Sequence, residues 1–187
     1  IALVGNPNCG KTALFNLLTG SRQKVANYSG VTVERKEGQF VDADRIVKVL
    51  DLPGAYSLHA TSPDELITRN ICMGTHDYGF HPDVLVCVVD ATNLRLHLRF
   101  VLELKALGKP LIVALNMMDA AKKRGIEIDL VELEQSLGVP VLPTIAVASH
   151  GADILKKYLA EHSVPLPAIE LQQNESDSHV QVRQILQ

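Results

Sequence analysis

The sequence predicts an α/β fold in three layers, with a mostly parallel six-stranded sheet, one antiparallel edge strand and helices on both faces. Short apolar runs rich in β-branched residues recur between turn residues, and such runs are typical of buried parallel strands. Helical patterns alternate with them, which favours a sheet covered on both faces. The five apolar runs are residues 1–4, 46–50, 84–89, 111–115 and 139–142.

A weaker strand pattern at residues 37–41 predicts the antiparallel edge. The polar turn Asp42-Ala43-Asp44-Arg45 joins it to the run at 46–50, so the two are expected to form a hairpin. Helices are predicted where Ser62 and Pro63 supply an N-cap and a first turn, and where Gly20, Gly108 and Gly138 follow apolar periodicity. The predicted helices are residues 11–19, 63–73, 94–107, 129–137 and 152–161.

Composition limits the kinds of function. The 187 residues are 47% hydrophobic and carry a formal net charge of −3, which argues against a nucleic-acid-binding domain. Residues 1–162 are expected to form one domain, and the polar, proline-containing residues 163–187 a linker and the beginning of a further element. No apolar stretch reaches the length of a membrane span. The chain begins inside its first strand without a Met, so a fragment of a longer protein is expected.

The cysteines indicate a reducing compartment. Cys9, Cys72 and Cys87 are far apart and form no CxxC pair, so neither a disulfide framework nor a metal site is expected from them.

One glycine-bounded segment between the first strand and the first helix predicts a phosphate-binding P-loop. Backbone N–H groups of such a loop and the following helix N-terminus attract phosphate oxygens. Lys11 is expected to reach the β- and γ-phosphates, and the Thr12 hydroxyl to ligate Mg²⁺. The alternative is a glycine-rich strand–helix turn that holds no ligand. The segment reads Gly5-Asn6-Pro7-Asn8-Cys9-Gly10-Lys11-Thr12.

Two further segments are expected beside the phosphates. Asp51, which begins Asp51-Leu52-Pro53-Gly54 at a strand end, is placed to hold Mg²⁺, and Gly54 to let the backbone approach the γ-phosphate. Thr32 is expected to give its hydroxyl to Mg²⁺ and its N–H to the γ-phosphate. Residues 24–34 and 54–62 are therefore expected to order with GTP and to loosen with GDP.

A fourth segment, Asn116-Met117-Met118-Asp119, predicts guanine recognition. The Asp119 carboxylate can accept hydrogen bonds from the N1–H and the 2-amino group of guanine, and adenine offers neither. Asn116 is suited to brace the P-loop. The backbone of Ala146 or Val147 is expected near the guanine O6.

Together these motifs predict a P-loop small-GTPase fold, and their variants resemble one family. Met117 and Leu52 stand where most such GTPases carry Lys and Thr. The chain resembles the cytosolic N-terminal G domain of FeoB, the family of bacterial ferrous iron transporters, within the TrmE-Era-EngA-EngB-Septin-like GTPases. The resemblance covers about residues 1–160 and rests on these blocks: GNPNCGKTALFNLLTG, VANYSGVTVERKEGQF, DLPGAYSL, VVDATNL and VALNMMDAAKKRGI.

The resemblance implies a regulatory domain that binds GTP, hydrolyses it slowly and requires Mg²⁺. A helical domain and then a membrane permease region would follow in the same parent chain, at the cytoplasmic face of the bacterial inner membrane. It implies catalytic roles for Asn8, Lys11, Thr32 and Gly54. The implied nucleotide-binding residues are Asn6, Pro7, Asn8, Cys9, Gly10, Lys11, Thr12, Ala13, Asn116, Met117, Asp119, Ala146 and Val147.

The hydrolytic residues depart from Ras-type enzymes. Ala55 stands where those enzymes place a water-orienting glutamine, so another group must support the transition state. The resemblance implies that Asn8 ligates K⁺ beside the phosphates. The alternative is that the Asn8 side chain only hydrogen-bonds its own loop.

Two other functions stay open from the sequence. One is a free ribosome-assembly GTPase of the Era or EngA kind, although the basic RNA-binding appendages of such proteins are missing. The other is a nucleotide-binding switch that barely hydrolyses GTP. The oligomeric state is left open.

Overall fold

The computed structural model describes residues 1–20, 23–42 and 45–162. The predicted linker at 163–187 lies outside the described residues. Within the described ranges, seven strands form one sheet. They are β1 (Ala2–Gly5), β2 (Gln23–Asn27), β3 (Glu34–Asp42), β4 (Arg45–Asp51), β5 (Leu85–Asp90), β6 (Leu111–Asn116) and β7 (Val141–Pro143).

The strand order β2-β3-β4-β1-β5-β6-β7 confirms the predicted fold class. Strand β1 pairs in parallel with β4 and β5, and β6 pairs in parallel with β5 and β7. Strand β3 runs antiparallel to both β2 and β4. The sheet thus has one strand more than the six expected, and β2 rather than β3 forms the edge.

Strand β2 carries no sequence signal that could have revealed it. All five of its residues are exposed, so neither an apolar run nor an alternating pattern marks them. The strand forms because its backbone pairs with β3, from Gln23 opposite Gly38 to Asn27 opposite Glu34.

Helices cover both faces of the sheet. The Ser62 side chain accepts a 3.2 Å hydrogen bond from the Glu65 N–H, which confirms the predicted N-cap. A short helix after Met117 was not predicted. The described helices are α1 (Lys11–Thr19), α2 (Pro63–Met73), α3 (Leu94–Lys105), α4 (Met118–Lys123), α5 (Leu130–Leu137) and α6 (Asp153–Glu161). No described helix is long and apolar enough to cross a bilayer.

The core lies on the two faces of the sheet, because successive strand side chains point to opposite sides. In β1, Ala2 and Val4 pack toward α2, α3 and α5, whereas Leu3 packs toward α1 and α6. Each of these three side chains is fully buried. A strand that is apolar at every position therefore contributes to both layers, as the predicted parallel strands require.

The fold brings the predicted motifs to one edge of the sheet. Gly5, Asp51 and Asn116 are the last residues of β1, β4 and β6. These strands run in the same direction within the central part of the sheet, so their carboxyl ends meet. A crevice at this edge is where open α/β sheets bind ligands.

Candidate functional site

The loop between β1 and α1 curls around a cavity. Two of its residues adopt left-handed backbone conformations, Asn8 with φ 65° and Gly10 with φ 85°. The Cys9 N–H donates to the Asn6 carbonyl oxygen over 3.4 Å. The cavity of about 500 Å³ is lined by Asn6, Pro7, Asn8, Gly10, Lys11, Thr12, Ala13, Gly54 and Asp64.

Three predicted phosphate and metal residues meet beside this cavity. The Lys11 ammonium forms an ion pair with one oxygen of the buried Asp51 carboxylate. The Thr12 hydroxyl donates to the other oxygen of Asp51 over 3.1 Å. A hydroxyl and a carboxylate in contact are the oxygen ligands that Mg²⁺ prefers, so this pair fits that ion. Within the described residues, no cluster of three or more His, Cys, Asp or Glu side chains forms another candidate metal site.

The segment after Asp51 packs directly against the P-loop. The Ala55 N–H donates to the Gly5 carbonyl oxygen over 3.1 Å, and the Thr68 hydroxyl donates to the Pro53 carbonyl oxygen over 2.7 Å. A methyl group on Gly54 would stand 3.1 Å from the Pro7 ring, so glycine permits the close approach. This segment therefore borders the cavity at Gly54.

The buried Asn116 amide joins three segments. Its nitrogen donates to the Cys9 carbonyl oxygen over 3.0 Å, and its oxygen accepts from the Ala146 N–H over 2.9 Å. The Thr144 hydroxyl donates to the same oxygen over 3.4 Å. The predicted brace between Asn116 and the P-loop is present, and the Ala146 N–H points to Asn116 in this structure.

Asp119 lies where α4 begins. Met117 has a left-handed backbone with φ 62°, and α4 starts at the next residue with Asp119 in its first turn. Asp119 is half-buried, and the Val147 side chain is 84% exposed. Neither residue lines the cavity beside the P-loop.

The structure also places Thr32, a predicted ligand of Mg²⁺ and the γ-phosphate, outside the cavity. Thr32 is exposed and is not among the residues that line the cavity. A role for Thr32 at the phosphates therefore requires its loop to move.

Burial keeps the P-loop cysteine protonated. Cys9 is 1% exposed, and desolvation raises the pKa of its thiol to about 11 although the Lys11 N–H and charge act in the opposite direction. The Cys9 side chain thus packs as an apolar group.

The family model for ferrous iron transport protein B matches residues 1–159. The chain belongs to this family. It is 48% identical over 174 residues to the Fe(2+) transporter FeoB of Escherichia coli K12, a match that covers 89% of this chain and 22% of that protein. The FeoB of Salmonella typhimurium is 47% identical over 167 residues, covering 87% of this chain and 21% of that protein. The chain thus spans about a fifth of the length of these curated relatives.

Solved structures of the family share the fold. The apo cytosolic domain of the T. maritima FeoB is 40% identical, with a TM-score of 0.83, covering 92% of this chain and 66% of that chain. The cytosolic domain of L. pneumophila FeoB is 42% identical, with a TM-score of 0.81, covering 94% and 73%. A point mutant of S. thermophilus NFeoB bound to GDP is 42% identical, with a TM-score of 0.75, covering 83% and 58%.

The sequence does not predict several contacts at the site. Thr144 joins the Asn116 network, and Glu103 of α3 accepts a 2.7 Å hydrogen bond from the Leu58 N–H in the loop after Gly54. Gly151 lies so close to the Ile145 carbonyl oxygen that a side chain there would clash with it. The first two contacts join residues that are distant in sequence, and the third depends on how a loop folds back on itself. No local sequence pattern predicts such contacts.

Proposed function

We propose that this chain binds guanine nucleotides and hydrolyses GTP slowly, as the regulatory domain of a bacterial Fe²⁺ transporter. The observation that carries the proposal is the Asn116 amide. It ties the loop expected to hold phosphates to the segment expected beside the base, through Cys9 and Ala146. A relative that is 42% identical was solved with GDP bound.

The phosphates of the nucleotide would be held by positively charged groups and N–H donors. Lys11 would leave Asp51 for the β- and γ-phosphates, while the α1 N-terminus and the loop N–H groups face the same anions. Thr12, Asp51 and, after its loop moves, Thr32 would hold Mg²⁺. When bound, Mg²⁺ would offset the negative charge on the phosphates. Asp119 would select guanine through its N1–H and 2-amino group.

Hydrolysis would transfer the γ-phosphoryl group from GTP to water, with GDP as the leaving group. The attacking water forms a new P–O bond and gives up a proton to the phosphate product, while the bond to the bridging β–γ oxygen breaks and GDP takes up the leaving charge. Ala55 is fully buried and offers no polar side chain, so the side chain at this position cannot orient the water. Asn8 lines the cavity, and we propose that its amide oxygen holds K⁺ where charge develops, in the role that an arginine finger plays elsewhere.

In the parent chain, this domain would act on a membrane region. A following membrane permease region at the cytoplasmic face of the inner membrane would be the partner that the nucleotide state controls. We propose no nucleic-acid partner for this domain.

Calorimetric titration of this chain with GDP, a non-hydrolysable GTP analogue and ATP tests the proposal. We expect guanine nucleotides to bind at least about a hundredfold tighter than ATP, the order for an unpaired buried polar group. GTP turnover should be slow but above the rate without protein. Equal affinity for ATP and GTP, or no turnover, would overturn the corresponding half of the proposal.

A further inference from the structure

Tyr28 is buried although it lies in an exposed loop. It is 1% exposed, whereas its neighbours Asn27 and Ser29 and the nearby Thr32 are all exposed. A large aromatic ring buried from an exposed loop is an anchor, because withdrawing it would return its apolar surface to water.

The Tyr28 ring is held on two sides. The Tyr78 ring meets it edge to face, with centroids 5.4 Å apart and an interplanar angle of 73°, an arrangement that aromatic pairs favour. The Arg35 guanidinium lies 5.6 Å from the Tyr28 ring centroid, within the range of a cation–π contact. No described residue offers the Tyr28 hydroxyl a hydrogen-bond partner, so packing rather than a hydrogen bond retains the ring.

Tyr78 is itself fixed from two elements. The Arg35 guanidinium of β3 donates to the Tyr78 carbonyl oxygen, and the Asn70 amide of α2 donates to the Tyr78 hydroxyl over 3.4 Å. The Asn70 carbonyl oxygen accepts from the N–H groups of Gly74 and Thr75 over 2.8 and 3.0 Å. The loop that carries Tyr78 is thus fastened to α2 and β3, and forms a platform under Tyr28.

The backbone confines the free part of the Thr32 loop. The Tyr28 N–H donates to the Val33 carbonyl oxygen over 3.0 Å, and the Val31 N–H donates to the Tyr28 carbonyl oxygen over 3.2 Å. Before Tyr28, β2 is paired with β3 along its whole length. Only residues 29–32 lie between the anchor and Val33, which packs against the core.

We propose that Tyr28 and Tyr78 are positioning residues for Thr32. Tyr78 holds Tyr28 in place, so nucleotide binding moves residues 29–32 alone, and not the whole of residues 24–34 that the sequence suggested. This inference rests on the proposed function, in which Thr32 contacts Mg²⁺ and the γ-phosphate. A short closing segment loses less conformational entropy on ordering than a segment of about eleven residues.

Hydrogen exchange of the wild-type chain, with GDP and with a non-hydrolysable GTP analogue plus Mg²⁺, tests the extent of the motion. We expect protection to change in residues 29–32 and to stay the same in residues 23–27. A change of equal size across both segments would overturn the inference.

Substitutions test the anchor. Tyr78→Leu should leave GDP affinity within about twofold, raise exchange at residues 23–32 and lower kcat for GTP about tenfold, because Thr32 is misplaced. Tyr28→Phe should behave like wild type, since it removes only the unpartnered hydroxyl. Tyr158→Leu, on α6 and stacked on His162, is the control for loss of a tyrosine far from the Thr32 loop.

Two results would overturn the inference. The first is that the Tyr78→Leu chain has the same exchange pattern and kcat as the Tyr158→Leu control. The second is that Tyr78→Leu lowers GDP affinity and kcat by the same factor, which would indicate general unfolding. Failure of the proposed function would be seen separately, as a wild-type chain that does not turn over GTP. Hydrogen exchange without nucleotide would still show whether Tyr78→Leu releases residues 23–32.

Discussion

The side-chain nitrogen of Asn116, at the end of β6, donates a 3.0 Å hydrogen bond to the carbonyl oxygen of Cys9 in the loop after β1. The two residues are 107 positions apart in the chain. Because the same amide also accepts the Ala146 N–H, one buried side chain sets the relative placement of three loops.

Asn116→Ala is expected to lower the free energy of unfolding by about 2–4 kcal/mol, because the Cys9 carbonyl and the Ala146 N–H lose a buried partner. Nucleotide affinity should fall with it. Denaturant unfolding and GDP titration measure the two effects. Asn93→Ala is the matched control, since Asn93 makes no side-chain capping bond; a loss equal to the control would contradict the prediction.

Gly10→Ala is expected to abolish nucleotide binding and to destabilise the fold. Its backbone is left-handed with φ 85°, and an added methyl group would clash with the Asn116 side-chain nitrogen. Gly108→Ala separates the two causes, because Gly108 has φ 66° with no atom within 4 Å of the added methyl. The control should lose only about 1 kcal/mol from backbone strain. If Gly10→Ala and Gly108→Ala unfold at the same midpoint, the clash with the Asn116 side chain does not destabilise the fold, and the prediction is wrong.

Asp119→Asn is expected to weaken GDP binding about a hundredfold and to improve binding of xanthosine diphosphate, because an amide can donate to the 2-oxo group of xanthine. Parallel calorimetric titrations with both nucleotides measure the exchange of preference. Asp153→Asn, which changes an exposed carboxylate of α6 paired with His150, should alter neither affinity. If the Asp119→Asn chain still prefers GDP over xanthosine diphosphate as the wild type does, Asp119 does not recognise the base.

Asn8→Gly is expected to remove most of an acceleration of GTP hydrolysis by K⁺ over Na⁺ while GDP binding survives. Glycine suits this test better than alanine, since Asn8 has φ 65° and glycine adopts that conformation without strain. Turnover is measured in KCl and NaCl at equal ionic strength. If wild-type rates agree in the two salts, the cation mechanism is wrong and a protein partner becomes the better source of stabilisation.

Stability is expected to fall as the pH drops below about 6.5, the ordinary pKa of histidine. Desolvation lowers the pKa of the buried His97 in the folded chain, with Asp90 opposing it. The unfolded chain therefore binds the proton first, and stability declines from about 6.5 down to the lowered folded-state pKa. His97→Leu should flatten this decline in urea midpoints, whereas the exposed His59→Leu should not; parallel declines in both would contradict the assignment.

The sequence by itself determined the fold class and the segments that carry the motifs. Alternating apolar strands and helices specify the layers locally, and the segment from Gly5 to Thr12 carries its glycines and Lys11 within a few positions of one another. The two faces of β1 follow directly from side-chain alternation, because Leu3 and its neighbours Ala2 and Val4 point to opposite layers.

Tertiary structure alone decided the features that depend on distant partners. Strand β2 exists because β3 pairs with its backbone, since its five exposed side chains carry no pattern. In the sequence, nothing distinguishes Tyr28 from an ordinary loop residue. Its burial depends on Tyr78, which lies 50 positions later in the chain and packs against it. The Asn116 amide likewise finds Cys9 and Ala146 only once the strand ends converge. Local sequence encodes the elements, whereas burial and hydrogen-bond satisfaction across the folded chain select which side chains meet.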